Sequence, residues 1–302
     1  VSDVRPLLSL SSQQRPRCAV FLSGSGTNAE KLIEHHRNLG NEASYEIACL
    51  VTDRPSQSRA ALIAAAAGIP LVEHDIGAFY LARGLSSTSL ASEAGRKTRE
   101  EWTAELKSRL LPFAPDFGVF AGFVPLTNLT ESLPCLNVHP GDLSVTDEKG
   151  VRLYVGLHTL PIEIAVLAGE TSLRSSVILA SAYAATGAGM DEGLILGLSP
   201  EVEIDLMGRD TAAWQALAAQ RPAKKPKGGW GDELEKMAEV NQDRLKRQGD
   251  WLVLPRCVQD FAAGRFGVDA NGGLHLRGGP GGWLPIETIA YSQDAREILF
   301  RS

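Results

Sequence analysis

Two rhythms of apolar positions alternate along the first half of the chain. Continuous apolar runs at 17–23, 45–53, 71–74, 116–123 and 135–139 predict buried strands. Between them, three stretches carry helical patterns. Residues 27–38 open with Thr27 and Asn28, good N-cap types, and place Ala29, Leu32 and Ile33 on one face. The Ala-rich run 58–70 ends at Gly68 and Pro70, and 97–112 is charged and amphipathic. Strands that are apolar throughout, separated by helices, predict an α/β fold: a mostly parallel twisted sheet with helices on both faces. Ligands of such sheets sit beyond the carboxyl ends of the strands. Three polar features fall at those ends: the Gly/Ser loop 23–28, the segment Ala121–Thr127, and the pair Asn137 and His139.

The second half is less regular. A helix is expected at 156–170, strands at 175–183 and 193–205, and a charged helix at 232–248. The Pro/Gly/Lys-rich segment 221–231 predicts a flexible excursion. Asn271-Gly272, between short alternating runs, predicts a hairpin. The polar stretch 1–16 is expected to be a disordered leader, 17–265 the main domain, and 266–302 a C-terminal extension.

Composition narrows the function classes. The 302 residues are 44% hydrophobic and 22% charged, with a net charge of −6. Mild acidity argues against nucleic acid as a partner, and no apolar run approaches the ~20 residues of a membrane span. Small-molecule substrates are the expected partners. Cys18, Cys49, Cys135 and Cys257 are widely spaced, with no Cys-x-x-Cys pair. Free thiols in a cytoplasmic protein, with no metal site, are expected. A monomer and a homodimer stay equally open.

The loop Gly24-x-Gly26-x-x-Ala29 follows a strand and opens a helix. That arrangement fits a dinucleotide fingerprint, with Asp53 at the next strand end as a ribose-binding acid. It equally fits a terminal phosphate held at a helix N-terminus, or a purely structural turn. Asn137 and His139 are two residues apart on a strand and so share a side. Asp191, in the Gly-flanked loop "GMDEG", is a third candidate.

Four segments together bring a known family into view: "FLSGSGTN" (21–28), "AGFVPLT" (121–127), "LNVHP" (136–140) with "GLHT" (156–159), and "MDEGLIL" (190–196). A weaker fifth is "KRQGDWLVLP" (246–255). The sequence resembles the folate-dependent formyltransferases, and the "SGSGTN" loop points to the branch that formylates glycinamide ribonucleotide. The resemblance implies a Rossmann-like formyltransferase fold over roughly residues 17–265. It implies 10-formyltetrahydrofolate as co-substrate and a catalytic set of Asn137, His139 and Asp191. Gly26, Thr27 and Asn28 would hold the ribose phosphate, with Arg247 one helical turn before Asp250 reaching it. Asp250 would bind the amine. Phe123, Val124, Leu126 and Thr127 would line the folate pocket. The chemistry matches these residue types. An amine attacking a formyl carbon creates a tetrahedral intermediate whose oxyanion Asn137 and protonated His139 can stabilise, while Asp191 assists proton transfer.

The sequence also departs from the family pattern. His139-Pro140 continues as Gly141-Asp142-Leu143-Ser144, where relatives have Ser-Leu-Leu-Pro, and extra residues precede "GLHT". The segment before Asp191 is longer than usual, Pro125 stands where relatives place Arg or Lys, and Asp250-Trp251 replaces Glu-His. These changes surround the ligand loops. They keep a different phosphorylated amine open as acceptor. Hydrolysis of the formyl donor, a nicotinamide-dependent oxidoreductase and a silent binding protein are the remaining alternatives.

Overall fold

The computed structural model describes residues 4–9, 14–183, 189–226, 228–278 and 282–300. In chain order the elements run β1 (Arg5–Pro6), β2 (Arg17–Phe21), α1 (Thr27–Leu39), β3 (Glu46–Thr52), α2 (Ala60–Ala67), β4 (Leu71–Glu73), α3 (Ile76–Leu81), α4 (Glu93–Leu110), β5 (Phe117–Phe120) and β6 (Cys135–His139). Then come α5 (Leu160–Ala168), β7 (Ser172–Leu173), β8 (Ser176–Leu179), β9 (Ile195–Leu198), β10 (Val202–Glu203), α6 (Thr211–Ala218) and α7 (Glu233–Leu245). A π-helical turn, Lys246–Asp250, links α7 to α8 (Trp251–Ala262). The chain finishes with β11 (Phe266–Val268), β12 (Leu274–Arg277), β13 (Trp283–Pro285), β14 (Thr288–Tyr291) and β15 (Arg296–Leu299).

The main sheet has nine strands in the order β15-β14-β9-β8-β6-β5-β2-β3-β4. Its β4-β3-β2-β5-β6 section is parallel, as is the β9–β14 pairing, whereas β8 runs antiparallel to both β6 and β9. The pleat sorts the apolar residues of β2 to two faces. Val20 and Leu22 pack with Leu32 of α1 and Val253, Leu254 and Val258 of α8. Ala19 and Phe21 pack on the other face with Trp102 and Leu106 of α4. Both faces are therefore covered, which is why these strands read as unbroken apolar runs. The expected strand at 193–205 is divided into β9 and β10 around Pro200, whose missing N–H cannot serve a central ladder.

Strand order reverses between β2 and β5. The loops leaving their carboxyl ends diverge there and open a crevice. Ser23 ties these loops together. Its Oγ donates to Asp53 Oδ1 at 2.5 Å and accepts the Val124 N–H at 2.9 Å.

The described parts of both terminal segments pair with strands of the fold. Arg5 and Pro6, in the supposed disordered leader, pair with Val268 and Gly267, and Leu8 is buried in the core. The β11–β12 hairpin turns at Asn271-Gly272 as expected, and its β11 edge offers the N-terminal strand its backbone partners. Strands β14 and β15 extend the main sheet rather than forming a separate unit. Buried Asp260 of α8 anchors them, accepting from Tyr291 Oη and pairing with Arg296, both at 2.8 Å.

The segment 221–231 is likewise tied down. Arg221 pairs with Glu163 at 2.5 Å and Asp232 at 2.7 Å, and stacks over Trp230. Lys225 pairs with Glu235 at 2.9 Å. Arg221 thereby bridges α5 to the start of α7. Residue 227 lies outside the described residues.

Candidate active site

Asn137 and His139 end β6 on one side of the strand, and the turn Met190–Glu192 brings Asp191 over them. Asn137 Nδ2 donates to Asp191 Oδ1 at 3.3 Å. His139 Nδ1 lies 3.4 Å from Asp191 Oδ2. The other ring nitrogen, Nε2, is 2.7 Å from the carbonyl oxygen of Tyr154. Both nitrogens of the buried imidazole thus face acceptor oxygens.

The Gly/Ser loop meets the cluster from the other side. Gly26 caps α1 at φ 69°, and a Cβ there would lie 2.5 Å from Ile63 Cδ1 and 2.7 Å from Leu22 Cδ1. Only glycine suits both the left-handed backbone and that packing. The resulting turn aims the amino end of α1 at a cavity of about 250 Å³, lined by residues 23–28 together with Arg54, Gly122, His158 and Lys246. Unpaired N–H groups, the helix dipole and the cationic side chains all favour an anion there. A second lobe of about 220 Å³ continues past Asn28 and Lys246 to Asn137, His139, Asp191 and Asp250.

Asp250 lines the second lobe and is bonded to Asn28, which lines both. Its Oδ2 accepts from Asn28 Nδ2 at 3.0 Å, and its Oδ1 accepts from Ser175 Oγ at 2.5 Å. Gly249 permits this approach, since a Cβ there would meet Ser175 Oγ at 2.8 Å and Ser199 Oγ at 3.0 Å. Burial pushes the Asp250 carboxyl up, opposed by the hydrogen bonds from Ser175 and Asn28 and by Lys246 and His139.

Several expected assignments change. Arg247 does not reach the cradle: it pairs with Asp243 at 2.5 Å and lines a separate depression of about 810 Å³ beside Lys31 and Trp251. Lys246 occupies the position expected of it. The spacing argument assumed an α-helical turn, whereas the π-helical turn adds a residue and puts Lys246, not Arg247, on the face of Asp250. Asn28 presents its side-chain amide to Asp250, leaving its backbone N–H at the helix terminus. Thr127 is fully buried; its hydroxyl meets Thr103 Oγ1 at 3.1 Å and accepts from Leu129 N at 3.2 Å. It caps a turn and has no surface to offer a ligand. Phe123 packs mainly on Phe21, Phe120 and Trp102, but it also borders the second lobe, as does Val124. Leu126 faces a neighbouring cavity with Arg99, Arg54 and Val124. Asp53, the candidate ribose acid, is sealed beneath the loop by Ser23 and exposes no surface. Burial pushes its carboxyl up.

Comparison with solved structures gives the architecture a precedent. The chain superposes on glycinamide ribonucleotide transformylase 1 from Symbiobacterium toebii with a TM-score of 0.57 and 20% identity, covering 87% of this chain and 96% of that one. Phosphoribosylglycinamide formyltransferase from Anaplasma phagocytophilum gives 0.58 at 17% identity, covering 92% and 100%. This chain has the formyltransferase fold. A formyltetrahydrofolate deformylase from Pseudomonas syringae pv. tomato shares that fold, with a TM-score of 0.55 at 17% identity, covering 86% of this chain and 65% of that one. No family model matches the sequence, and no curated protein matches it. Within this fold the lobe holding Asn137, His139 and Asp191 lies at the carboxyl end of β6, and the cavity at the amino end of α1 lies at the carboxyl end of β2. Among the described residues no group of three His, Cys, Asp or Glu is arranged to hold a metal ion, and no helix is long and apolar enough to cross a membrane. All four cysteines are buried and unpaired.

Sequence reasoning missed Lys246, His158, Arg54, Tyr154 and Ser175 as site residues. Lys246 and His158 stand inside segments already singled out. The missing signal was the π register for one and the positive φ of 58° for the other.

Proposed function

We propose that the chain is a folate-dependent formyltransferase that moves a formyl group from 10-formyltetrahydrofolate to the primary amine of glycinamide ribonucleotide. The observation that carries this reading is the Asn137–His139–Asp191 cluster, held within 3.4 Å and opening onto the same cleft as an anion cradle. The cleft has two characters. Phe123, Val124, Val138 and Leu157 give an apolar wall suited to an aromatic carrier, and Asn28, Lys246 and Asp250 give a polar wall suited to a phosphorylated amine.

The formyl donor supplies a carbon open to attack by an amine. The chain's own groups would then act as follows. Asn137 has two amide hydrogens; one goes to Asp191, and the other is offered to the oxygen that gains charge. The His139 ring, on the same side of the end of β6, polarises the same oxygen. A donor such as the free Asn137 amide hydrogen is worth about 3–4 kcal/mol of barrier. Asp191 holds the His139 ring and accepts the proton of the attacking amine; the intermediate then collapses as the bond between the formyl carbon and N10 of the carrier breaks, and that proton passes to the departing nitrogen. Asp250 orients that amine, while Gly26, Thr27, Asn28, Lys246 and Arg54 hold the phosphate at a fixed distance from it. Positioning of two bound substrates contributes much of the remaining rate. In this reading the protein is a cytoplasmic enzyme of de novo purine synthesis.

A spectrophotometric assay with glycinamide ribonucleotide and 10-formyl-dideazafolate tests the proposal. Deformylation that needs both the amine and Asp191 supports it. Deformylation without the amine identifies a hydrolase, the second reading, which the deformylase of the same fold keeps in view. Turnover only with another phosphorylated amine would reassign the acceptor.

A further inference from the structure

The insertion after His139-Pro140 is an ordered hairpin. Thr146 bridges Arg152, Asp147 N donates to Val151 O at 2.9 Å, and Leu153 N donates to Val145 O at 3.1 Å. The Asp147 carboxylate closes the turn by accepting from Lys149 N and Val151 N, and Gly150 adopts a φ of 78°. The returning arm carries two contacts to the catalytic cluster. Arg152 Nη1 donates to the carbonyl of Asp191, and Nη2 donates to the carbonyl of Gly193 at 2.8 Å. Two residues later, the Tyr154 carbonyl accepts from His139 Nε2 at 2.7 Å. The Tyr154 hydroxyl, bonded to Glu170 at 2.5 Å, fixes this arm to the carboxyl end of α5.

Two glycines make the contacts possible. A Cβ on Gly141 would meet the Tyr154 carbonyl at 2.5 Å and His139 Nε2 at 3.2 Å. A Cβ on Gly193 would lie 1.6 Å from the Leu179 carbonyl. The glycine that follows His139-Pro140, where the family pattern has Ser, and the hairpin inserted behind it are therefore one device. The inserted arm can lie against the imidazole only because residue 141 has no side chain.

We propose that Arg152 is a positioning residue: its guanidinium fork fixes the 191–193 backbone, and so the Asp191 carboxylate, over His139, while the same arm locks the far side of the imidazole through Tyr154. Arg152 touches no reacting atom and acts through Asp191. The bond pattern suits the task, because two parallel donors to carbonyls two residues apart define both the height and the rotation of the turn. The catalytic part of this inference rests on the formyl-transfer reading; the structural part does not.

The test uses Arg152→Ala and Arg152→Lys in the full chain. Amide hydrogen exchange read by mass spectrometry reports on the clamp without any substrate. Peptides spanning 189–196 should exchange faster in Arg152→Ala than in wild type, with peptides spanning β2 unchanged. Arg152→Lys, which keeps the charge and loses the fork, should fall between them. Unchanged exchange over 189–196 overturns the clamp. In the formyl-transfer assay Arg152→Ala should lower kcat about 10- to 100-fold with KM nearly unchanged, as expected for misplaced catalytic groups. In an Asp191→Asn background the same substitution should cost less than about threefold, because the residue it positions is gone. Full additivity with Asp191→Asn overturns a role through Asp191. A wild-type protein without formyl transfer would fail the functional reading, and the exchange result would still decide whether the clamp exists.

Discussion

Lys246→Ala should weaken binding of ribose 5-phosphate far more than Arg247→Ala, although the two residues are neighbours and carry the same charge. Lys246 lines the cradle with the amino end of α1. A hydrogen bond between charged groups contributes about 1.5–3 kcal/mol, so its loss should raise Kd about 10- to 150-fold. The Arg247 side chain is 63% exposed and pairs with Asp243 one turn back on the helix. Such a pair contributes about 0.3–0.5 kcal/mol, and its loss should move Kd less than about threefold. Isothermal titration calorimetry at fixed ionic strength measures both variants. Repeating the Lys246 titration at high salt should shrink its difference from wild type, because screening weakens the phosphate contact. Equal weakening by the two substitutions, or a larger effect from Arg247→Ala, would refute the π-register argument.

Three further outcomes are expected. His139→Ala should lower kcat about 10²- to 10³-fold and leave ribose 5-phosphate affinity at the wild-type value, because the ring stabilises charge at the far lobe; unaffected turnover would remove His139 from the catalytic set. Asp250→Asn should raise Tm at about pH 7 and lose activity, and the Tm gap should close toward about pH 3: a carboxyl raised by burial costs stability as pH climbs from its ordinary value through the raised one. Identical Tm profiles would show that the buried charge carries no cost. Gly26→Ala should destabilise the fold by about 1–2 kcal/mol from backbone conformation alone, with more from the contacts at Ile63 and Leu22. Urea unfolding measures this, and an unchanged midpoint would contradict the left-handed cap.

The sequence by itself determined the parallel strands of the first half, helices α1, α2 and α4, and the loops that flank the site. Buried parallel strands must be apolar on both faces, and a left-handed turn at a helix start needs glycine, so both leave local signatures at 17–23, 45–53 and 24–28. The side of β6 shared by Asn137 and His139 followed from the two-residue period of a strand. What only the tertiary structure decided depends on contacts between distant residues or on a departure from regular backbone. The π-helical turn substituted Lys246 for Arg247. The buried hydroxyl of Thr127 and the sealed carboxylate of Asp53 look, in sequence, like ligand-facing polar groups. The N-terminal strand found partners more than 250 residues away, at Gly267 and Val268. Residues 221–231 have the composition of solvated chain, yet Arg221 and Lys225 meet Glu163 of α5 and Asp232 and Glu235 at the start of α7. Arg152 stands in an insertion without a motif. Its role exists only because folding carries that hairpin back over the catalytic turn, where two backbone carbonyls can meet one guanidinium.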